Sequence, residues 1–588
     1  MDSQVNAHLP NKNELIAAVE VSAFLSTGTS DRGFYEKSFA RGQKIALQNQ
    51  PVGAVRGLIL PHHLLAAPLI DRALRSVAST TDIQTVVIIG PDHLGRAKNP
   101  MVYSRAAWDT PFGVILPDPE FVQALSQLDF SENDERPFEE DASISALLPF
   151  VKNIFPEAKV AGVMVNDRLN SDSTERLAEK ISATLRTLVI ASVDFSHYLP
   201  LDAARLHDRT AASVLRTGDY DNLDSLDIDS PETLDAFLRI MEKDGAKNAE
   251  ILGNMNSADF TGDLNSEETT SYVAAAFTDN EKTADGAVSL LALGDMMFDR
   301  KVRALIASHN PDYPFALIRG KEGRFFRGVD LIVGNLEGAI SRRRPPEKEN
   351  DFAFDGSIAY LLKQSNFTAV NLANNHSLDQ GRSGREDTKA ALKNAEIAFF
   401  GDQVSETGEI WQTEIRGKKV SLLGFNLTDN FFDEKIAEAA VRAAAAKSDY
   451  VVVEAHWGAE YKPLASAEQK SLGRKFIEWG ASAVIGHHPH IVEGMEVWRG
   501  KPIFWSLGNF VFDQDWSEET KNGLVVGLVI KNDSTEVSLF PVKISAGQPR
   551  LLSGEAKTER LLEFVKRSNL PAELQKQAET GSLIIKSQ

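Results

Sequence analysis

Ala483-Val484-Ile485-Gly486-His487-His488-Pro489-His490 is the stretch on which the fold reading turns. A short apolar run closes in a glycine and then delivers three histidines within four positions. In an extended segment, side chains two apart point to one side. His488 and His490 are therefore predicted to aim at a common point, with Pro489 stiffening the link between them. His487 then faces the other way and reads as structural. A lone His-x-His fits a hydrogen-bonded polar loop equally well. What gives the stretch weight is that its pattern, a buried strand whose end releases a polar side chain, recurs upstream.

Val288–Leu293 ends in Gly294-Asp295, and Val329–Val333 ends in Gly334-Asn335-Leu336-Glu337. Phe367–Leu372 leads to Ala373-Asn374-Asn375-His376, and Tyr450–Ala455 to His456-Trp457-Gly458. Helical patterns fall between: Glu434–Lys447 behind a capping Asp433, and Glu468–Trp479, which stops at Gly480. Parallel strands linked by right-handed crossovers bring their ends to one sheet edge. Five such ends carrying only oxygen and nitrogen donors predict a metal centre. Six or seven donors exceed what one ion takes with room left for water. Two ions ~3.5–4 Å apart fit the number better. The alternative is five unrelated capping residues.

The first half repeats the theme more sparsely. Arg56–Leu60 delivers Pro61-His62-His63, Thr85–Ile89 delivers Gly90-Pro91-Asp92-His93, and Leu188–Val193 delivers Asp194-Phe195-Ser196-His197. A helical pattern over Asp172–Leu185 lies between them, and strands alternating with helices predict an α/β domain. The polar stretch Thr278–Gly286 has no periodicity and reads as the boundary between the halves. The expected division is an N-terminal domain over 1–280, with a loose arm at 1–30, a second domain over 287–545, and a helical tail over 546–588. Alternation in Gly523–Lys531 and Thr535–Ile544 predicts antiparallel strands that close the second domain.

Composition narrows the chemistry. At 588 residues the chain exceeds a single core, so two or more domains are the default. A net charge of −20 opposes a nucleic-acid surface, because phosphate backbones repel an acidic field. The chain has no cysteine, so disulfides, zinc–thiolate sites and thiol nucleophiles are out. Any metal must be held by His, Asp, Glu and Asn, which suits Mn, Fe or Zn. No apolar run approaches the ~20 residues that span a bilayer, and the first residues lack the basic and apolar regions of a signal peptide. The cytoplasm is the default compartment, with an extracytoplasmic one left open.

Pro61-His62, Gly90–His93 and Ser192–Tyr198, with Gly33-Phe34-Tyr35 and Asp259–Asp263, resemble the signature segments of the Memo family. The resemblance covers roughly residues 30–280. It implies a fold similar to non-haem iron extradiol dioxygenases and, as in some members, a metal at His62, His93 and His197. Two departures weaken the match: Ala142 stands where the family usually has a histidine, and the family's late cysteine is missing. Over residues 287–535 the segments Gly294–Met297, Asn335-Leu336-Glu337, Asn374–Gly381, His456–Tyr461, Gly486–His490 and Ser506–Phe510 resemble the CapA family of poly-γ-glutamate capsule synthesis proteins. More broadly they resemble calcineurin-like metallophosphoesterases, which implies an α/β sandwich. One departure is the lack of a histidine two positions after Asp295.

The resemblance implies Asp295 and Glu337 as anionic metal ligands, with Asn375, His456, His488 and His490 completing the shells. His376 is implied as a general acid or oxyanion donor. Asp379 either orients His376 or is a turn residue before Gly381. The implied function is that of a metal-dependent hydrolase or accessory acting on an anionic phosphoester or poly-γ-glutamate. The alternative is a non-catalytic assembly or binding protein for that polymer, beside a Memo-like domain with a metal- or redox-linked role. Capsule-synthesis proteins and radical-SAM-system proteins are the implied protein partners. The run Arg342–Pro346 reads either as a receiver for an anionic substrate or as a solvated loop.

Overall fold

The computed structural model describes residues 23–27, 29–78, 83–181, 186–280, 286–342, 351–401, 409–428 and 432–587. Most of the N-terminal arm, the centre of the boundary stretch at 281–285, the end of the helical pattern at 182–185 and residues 343–346 of the arginine run lie outside them. The chain forms two compact units. The first holds the described residues up to His197, Gly218–Leu264 and 269–280; the second holds Tyr198–Thr217, Asn265–Glu268 and the described residues from 286 onward.

The first unit is built on a nine-stranded sheet. Its strands are β1 (Val55–Leu60), β2 (Thr85–Pro91), β3 (Met101–Tyr103), β4 (Ser131–Asn133), β5 (Lys159–Val165), β6 (Thr187–Ser192), β7 (Phe195–Leu199), β8 (Asn248–Asn256) and β9 (Thr269–Thr278). They run in the order β7-β9-β1-β6-β2-β5-β3-β4, with β8 on β9. The central pairs β1/β6, β6/β2 and β2/β5 are parallel. These strands are Val/Ile/Leu runs rather than alternations, as burial on both faces requires. Leu58, Leu60, Val86 and Ile88 pack on the helices Arg32–Gly42 and Ala67–Ala78. The C-terminal ends of β1, β2 and β6 carry the loops with His62, His93 and Asp194.

The second unit has two facing sheets. In the first, β10 (Val288–Met296), β11 (Leu331–Leu336), β12 (Ala369–Asn371) and β13 (Ala398–Phe400) pair in parallel. The second sheet contains β14 (Trp411–Ile415), β15 (Lys418–Asn426), β16 (Tyr450–His456), β17 (Ala483–His487), β18 (Met495–Trp498) and β19 (Lys501–Phe504) in the order β14-β15-β16-β17-β19-β18. The first sheet is completed by β20 (Asn509–Val511), β21 (Asn522–Ile530), β22 (Ser534–Ser545), β23 (Gln548–Leu551) and β24 (Ser582–Lys586). The antiparallel pair β21/β22 is the closing hairpin the alternation predicted.

Period-2 alternation explains the layers. Leu290 and Ala292 of β10 join Val420, Val452 and Ile485 in a core between the sheets. Leu291 and Leu293 point the other way, into a cluster with Phe315, Leu361 and Leu392. On the far face of the second sheet, Val451 and Val453 meet Val441, Phe476 and Trp479 of the helices Glu434–Ala445 and Ala467–Trp479. The result is a helix–sheet–sheet–helix sandwich. Two findings refine the sequence reading. The helix Leu201–Thr217 belongs to the second unit, where Ala203, Ala204 and Leu206 enter its core. The segment after 546 is not purely helical: Gly554–Arg567 and Ala572–Glu579 are helices, but β23 precedes them and β24 returns to pair with β22. Alternation of Leu583 and Ile585 drives that return, since both join the inter-sheet core. No helix among the described residues is long and apolar enough to cross a membrane.

Candidate metal centre

The donors of the second unit come from strand ends that lie side by side. Asp295 is in β10, Asn335 in β11 and Glu337 just beyond it; His456 ends β16 and His487 ends β17. Asp295, Glu337 and His456 are fully buried. Each offers a ligand atom, and these atoms lie within 4.8 Å of one another. Glu460, His488 and His490 form a second such set. The two sets are joined: His490 Nδ1 lies 3.4 Å from Asp295, its Nε2 lies 3.7 Å from Glu337, and the His456 and His488 rings are 4.7 Å apart.

Close backbone approach is what allows this convergence. A Cβ on Gly294 would sit 2.1 Å from the Gly508 carbonyl, and one on Gly486 would sit 1.9 Å from that of Trp505. Only glycine fits at either position.

His488 and His490 do not take the extended backbone that their spacing predicted. Both are in the left-handed region, with φ of 95° and 58°. Their rings nonetheless lie 5.9 Å apart, because the tight turn, not strand pleating, brings them to one side. Non-glycine residues with such φ carry strain that surrounding structure must hold, a feature concentrated at functional sites. The His488 N–H donates to Asp295 at 3.2 Å and helps hold the turn.

Asparagines frame the carboxylates. Asn335 Nδ2 donates to Asp295 at 2.8 Å, and Asn374 donates to the Asn335 side-chain oxygen at 3.0 Å. His456 Nε2 lies 2.8 Å from Asn375 Oδ1, and His490 Nδ1 lies 3.0 Å from Asn509 Oδ1. His376 and Asp379 pair at 2.8 Å through Nδ1. His376 also stacks on Phe352 at 4.2 Å, and the Arg300 guanidinium lies 5.0 Å from the Phe352 centroid.

Electrostatics follow from burial against neighbours. Burial acts to raise the Asp295 carboxyl, but His487 and His490 outweigh it and hold Asp295 well below the carboxylate range. Glu337 goes the other way, pushed up to about 7 by burial and then by the Asp295 charge. Burial, followed by the neighbouring His488, drives His456 well below the usual imidazole range. His488 falls to about 4 from burial and the His490 charge. His490 rises to about 9 because Glu337 and Asp295 outweigh its burial.

The donor set fits a divalent cation. Glu337 Oε1 and His488 Nδ1 are buried without a hydrogen-bond partner among the described residues. Such atoms are costly unless something pairs with them. His487, read from sequence as structural, lies beside the centre: its ring nitrogens are 3.3 Å from Asp295 and 3.4 Å from Glu454, at ion-pair range. Glu454 was not anticipated, because inside the apolar run of β16 it carried no signal. Glu460 was quoted as part of a motif but not as a donor; its place four residues after His456 was the available clue.

In the first unit, His62, His93 and Asp229 form one candidate ligand set, and Asp194, His197 and Asp229 another. The three predicted histidines thus come to one locality, although His197 joins through the carboxylates. Burial opposes a charge on His93, but Asp141 and Asp229 outweigh it and push the ring up to about 10. Asp229 was missed, since it sits in a loop ahead of the helix Pro231–Lys243 and outside every quoted segment.

Fold and site together define a two-unit α/β protein with a His/carboxylate/Asn centre suited to divalent metal binding. The model of the bacterial capsule synthesis protein PGA_cap matches residues 289–514, and that of the Memo-like protein matches residues 38–276. The PGA biosynthesis protein CapA of Bacillus subtilis is 30% identical over 320 residues, covering 51% of this chain and 83% of the relative. A MEMO1 family protein of Desulfurococcus amylolyticus is 28% identical over 222 residues, 35% of this chain and 78% of that one. Among solved structures, a hypothetical protein from Thermus thermophilus aligns with a TM-score of 0.27 at 17% identity, covering 45% of this chain and 99% of its own. The chain belongs to the CapA family of capsule synthesis proteins, here fused behind a Memo-like domain.

Proposed function

We propose that the second unit is a divalent-metal-dependent hydrolase of capsule polymer synthesis, acting on an anionic phosphoester or poly-γ-glutamate. The observation that carries this reading is the buried convergence of Asp295, Glu337 and His456, with ligand atoms within 4.8 Å of one another. These three would hold one ion, with Asn375 beside His456. Glu460, His488 and His490 would hold a second, which answers the missing histidine after Asp295. Mn, Fe or Zn suits such donors. A bound ion supplies Lewis-acid polarisation of a substrate oxygen.

The chain's own residues account for proton handling. Asp379 accepts from the Phe352 N–H at 2.7 Å and fixes His376 through Nδ1. That leaves His376 Nε2, 3.9 Å from Glu337, facing the carboxylates. There it is placed to give a proton to a leaving group. Arg300 sits 5.0 Å from the Phe352 centroid and 5.8 Å from that of Phe512, and its guanidinium pairs with Asp513.

The test is a screen of the full chain over phosphoesters and γ-glutamyl amides, with Mn, Fe or Zn and with chelator. The reading predicts chelator-sensitive turnover that His376→Ala lowers by roughly 10²–10⁴. Polymer binding without turnover, unchanged by His376→Ala, would instead make this a binding or assembly protein.

A further inference from the structure

We propose that Tyr461 and Trp516 form a stacking subsite for a planar, uncharged ring that the substrate carries a few atoms away from its phosphate. The inference rests on the second unit's centre taking a phosphoester, and deepens that reading by naming what hangs from the phosphate. Trp516 is 62% exposed and Tyr461 41%. Their ring centroids lie 5.8 Å apart, with the planes at 77°. Two near-perpendicular aromatic rings make a corner. A flat guest stacks on one ring and turns its edge to the face of the other, the two arrangements that aromatic pairs prefer. The corner begins at the centre itself, since the Tyr461 ring lies 6.1 Å from that of His490. A ring on a short spacer reaches it while the phosphate stays among the donors.

Hydrogen bonds tie the corner to the centre. His490 Nδ1 lies 3.0 Å from Asn509 Oδ1, Asn509 Nδ2 donates to Gln514 Oε1 at 3.0 Å, and Gln514 Nε2 donates to the Tyr461 hydroxyl at 3.3 Å. The Tyr461 N–H closes the circuit on the Pro489 carbonyl at 2.9 Å. Tyr461 is held in the left-handed region, with φ of 62°, a strain that persists where surrounding structure over-determines it and that gathers at functional sites. The segment carrying Trp516 is pinned on both sides. Asp513 pairs with Arg300 and Asp515 with Lys301, and the Thr520 hydroxyl donates to the Gln514 carbonyl at 2.7 Å. A solvent-facing indole anchored in this way is preorganised for a guest and loses little freedom on binding one. The same pairings bear on the guest's charge. Arg300 and Lys301 already face carboxylates, so the corner offers a π surface rather than cations for a string of carboxylates.

Adenosine 5′-phosphate and ribose 5-phosphate, which differ by the base, are compared on the full-length chain loaded with Mn(II). The preference between them is read as a ratio of kcat/KM where they are turned over, and of calorimetric affinity where they are not. Wild type is expected to favour the adenosine ester by roughly 5–150-fold, the range of one base stacked on aromatic side chains. Trp516→Ala is expected to bring the ratio near one by acting on the adenosine ester alone, and Trp516→Phe to keep most of it. Trp516 faces solvent, so neither substitution empties a core. A preference in affinity without turnover upholds the subsite while counting against the hydrolase reading. Turnover of both esters with no preference overturns the subsite and leaves the hydrolase reading standing. Binding of neither ester, equal losses on both in Trp516→Ala, or a ratio that this variant leaves unchanged likewise overturns the subsite.

Discussion

Asp379 has two partners, the His376 ring and the Phe352 N–H, and the two define what its loss does. Asp379→Asn keeps the shape but removes the negative charge beside His376 Nδ1, which steadies the ring when it is protonated. Steady-state kinetics are expected to show kcat reduced on the order of 10-fold or more, with a smaller loss than His376→Ala, whose range is roughly 10²–10⁴. Equal loss in both variants would mean that Asp379 does more than orient. Glu493 gives a second prediction at this scale. Burial raises its carboxyl to about 7, against the partial relief of Gln469, which donates at 3.2 Å. The folded state therefore keeps a proton that the unfolded chain has already released. Stability carries no penalty from Glu493 below the ordinary carboxylate range, then loses ground as pH rises toward about 7 and stays lowered above. Glu493→Gln removes that loss. Urea unfolding is expected to find the variant more stable than wild type at pH 8 by on the order of 1–3 kcal/mol, and no more stable at pH 4. A constant difference across pH would contradict the assignment.

Elements decide how accurately the donors meet. A methyl group on Gly486 would meet the Trp505 backbone carbonyl, so β17 must move. Gly486→Ala is expected to cost about 1–3 kcal/mol in urea unfolding and to weaken metal binding as well, because His487, His488 and His490 follow directly. Ser466→Ala is the contrast. It removes the cap that accepts the Gln469 N–H at 3.2 Å and is worth about 1 kcal/mol, yet leaves metal affinity unchanged. How far the sequence could be read divides along the same line. Strands ending in donors were legible because apolar runs punctuated by Gly-Asp, Asn-His or Gly-His need no long-range knowledge. The left-handed turn at His488 and His490 was not, since local pattern cannot separate it from an extended strand when both aim the rings alike. Glu454 was hidden inside an apolar run, and Asp229 in a loop whose place depends on tertiary packing. Asp379 stayed ambiguous in sequence because a turn residue and a histidine partner look the same there.

For the molecule as a whole, the helix Leu201–Thr217 matters most. It lies within the sequence span of the Memo-like match, yet Thr210 bonds Ser289 at 2.9 Å and Arg209 pairs with Glu536 at 2.7 Å. A fragment beginning at 287 omits it and exposes the core around Leu291, Leu293 and Val525. Such a fragment is expected to melt well below the second unit in the full chain, or to aggregate; an unchanged melting profile would show the helix to be dispensable. Bound metal should raise the full chain's melting temperature with concentration, as any native-state ligand does.

The functional reading of the second unit rests on donors from separate strand ends trapping a divalent ion, and anomalous diffraction from crystals of the full chain grown with Mn(II) measures that directly. The account predicts a peak among Asp295, Glu337 and His456, lost in Asp295→Ala. A map with no anomalous density at those three side chains, at saturating Mn(II), would contradict it.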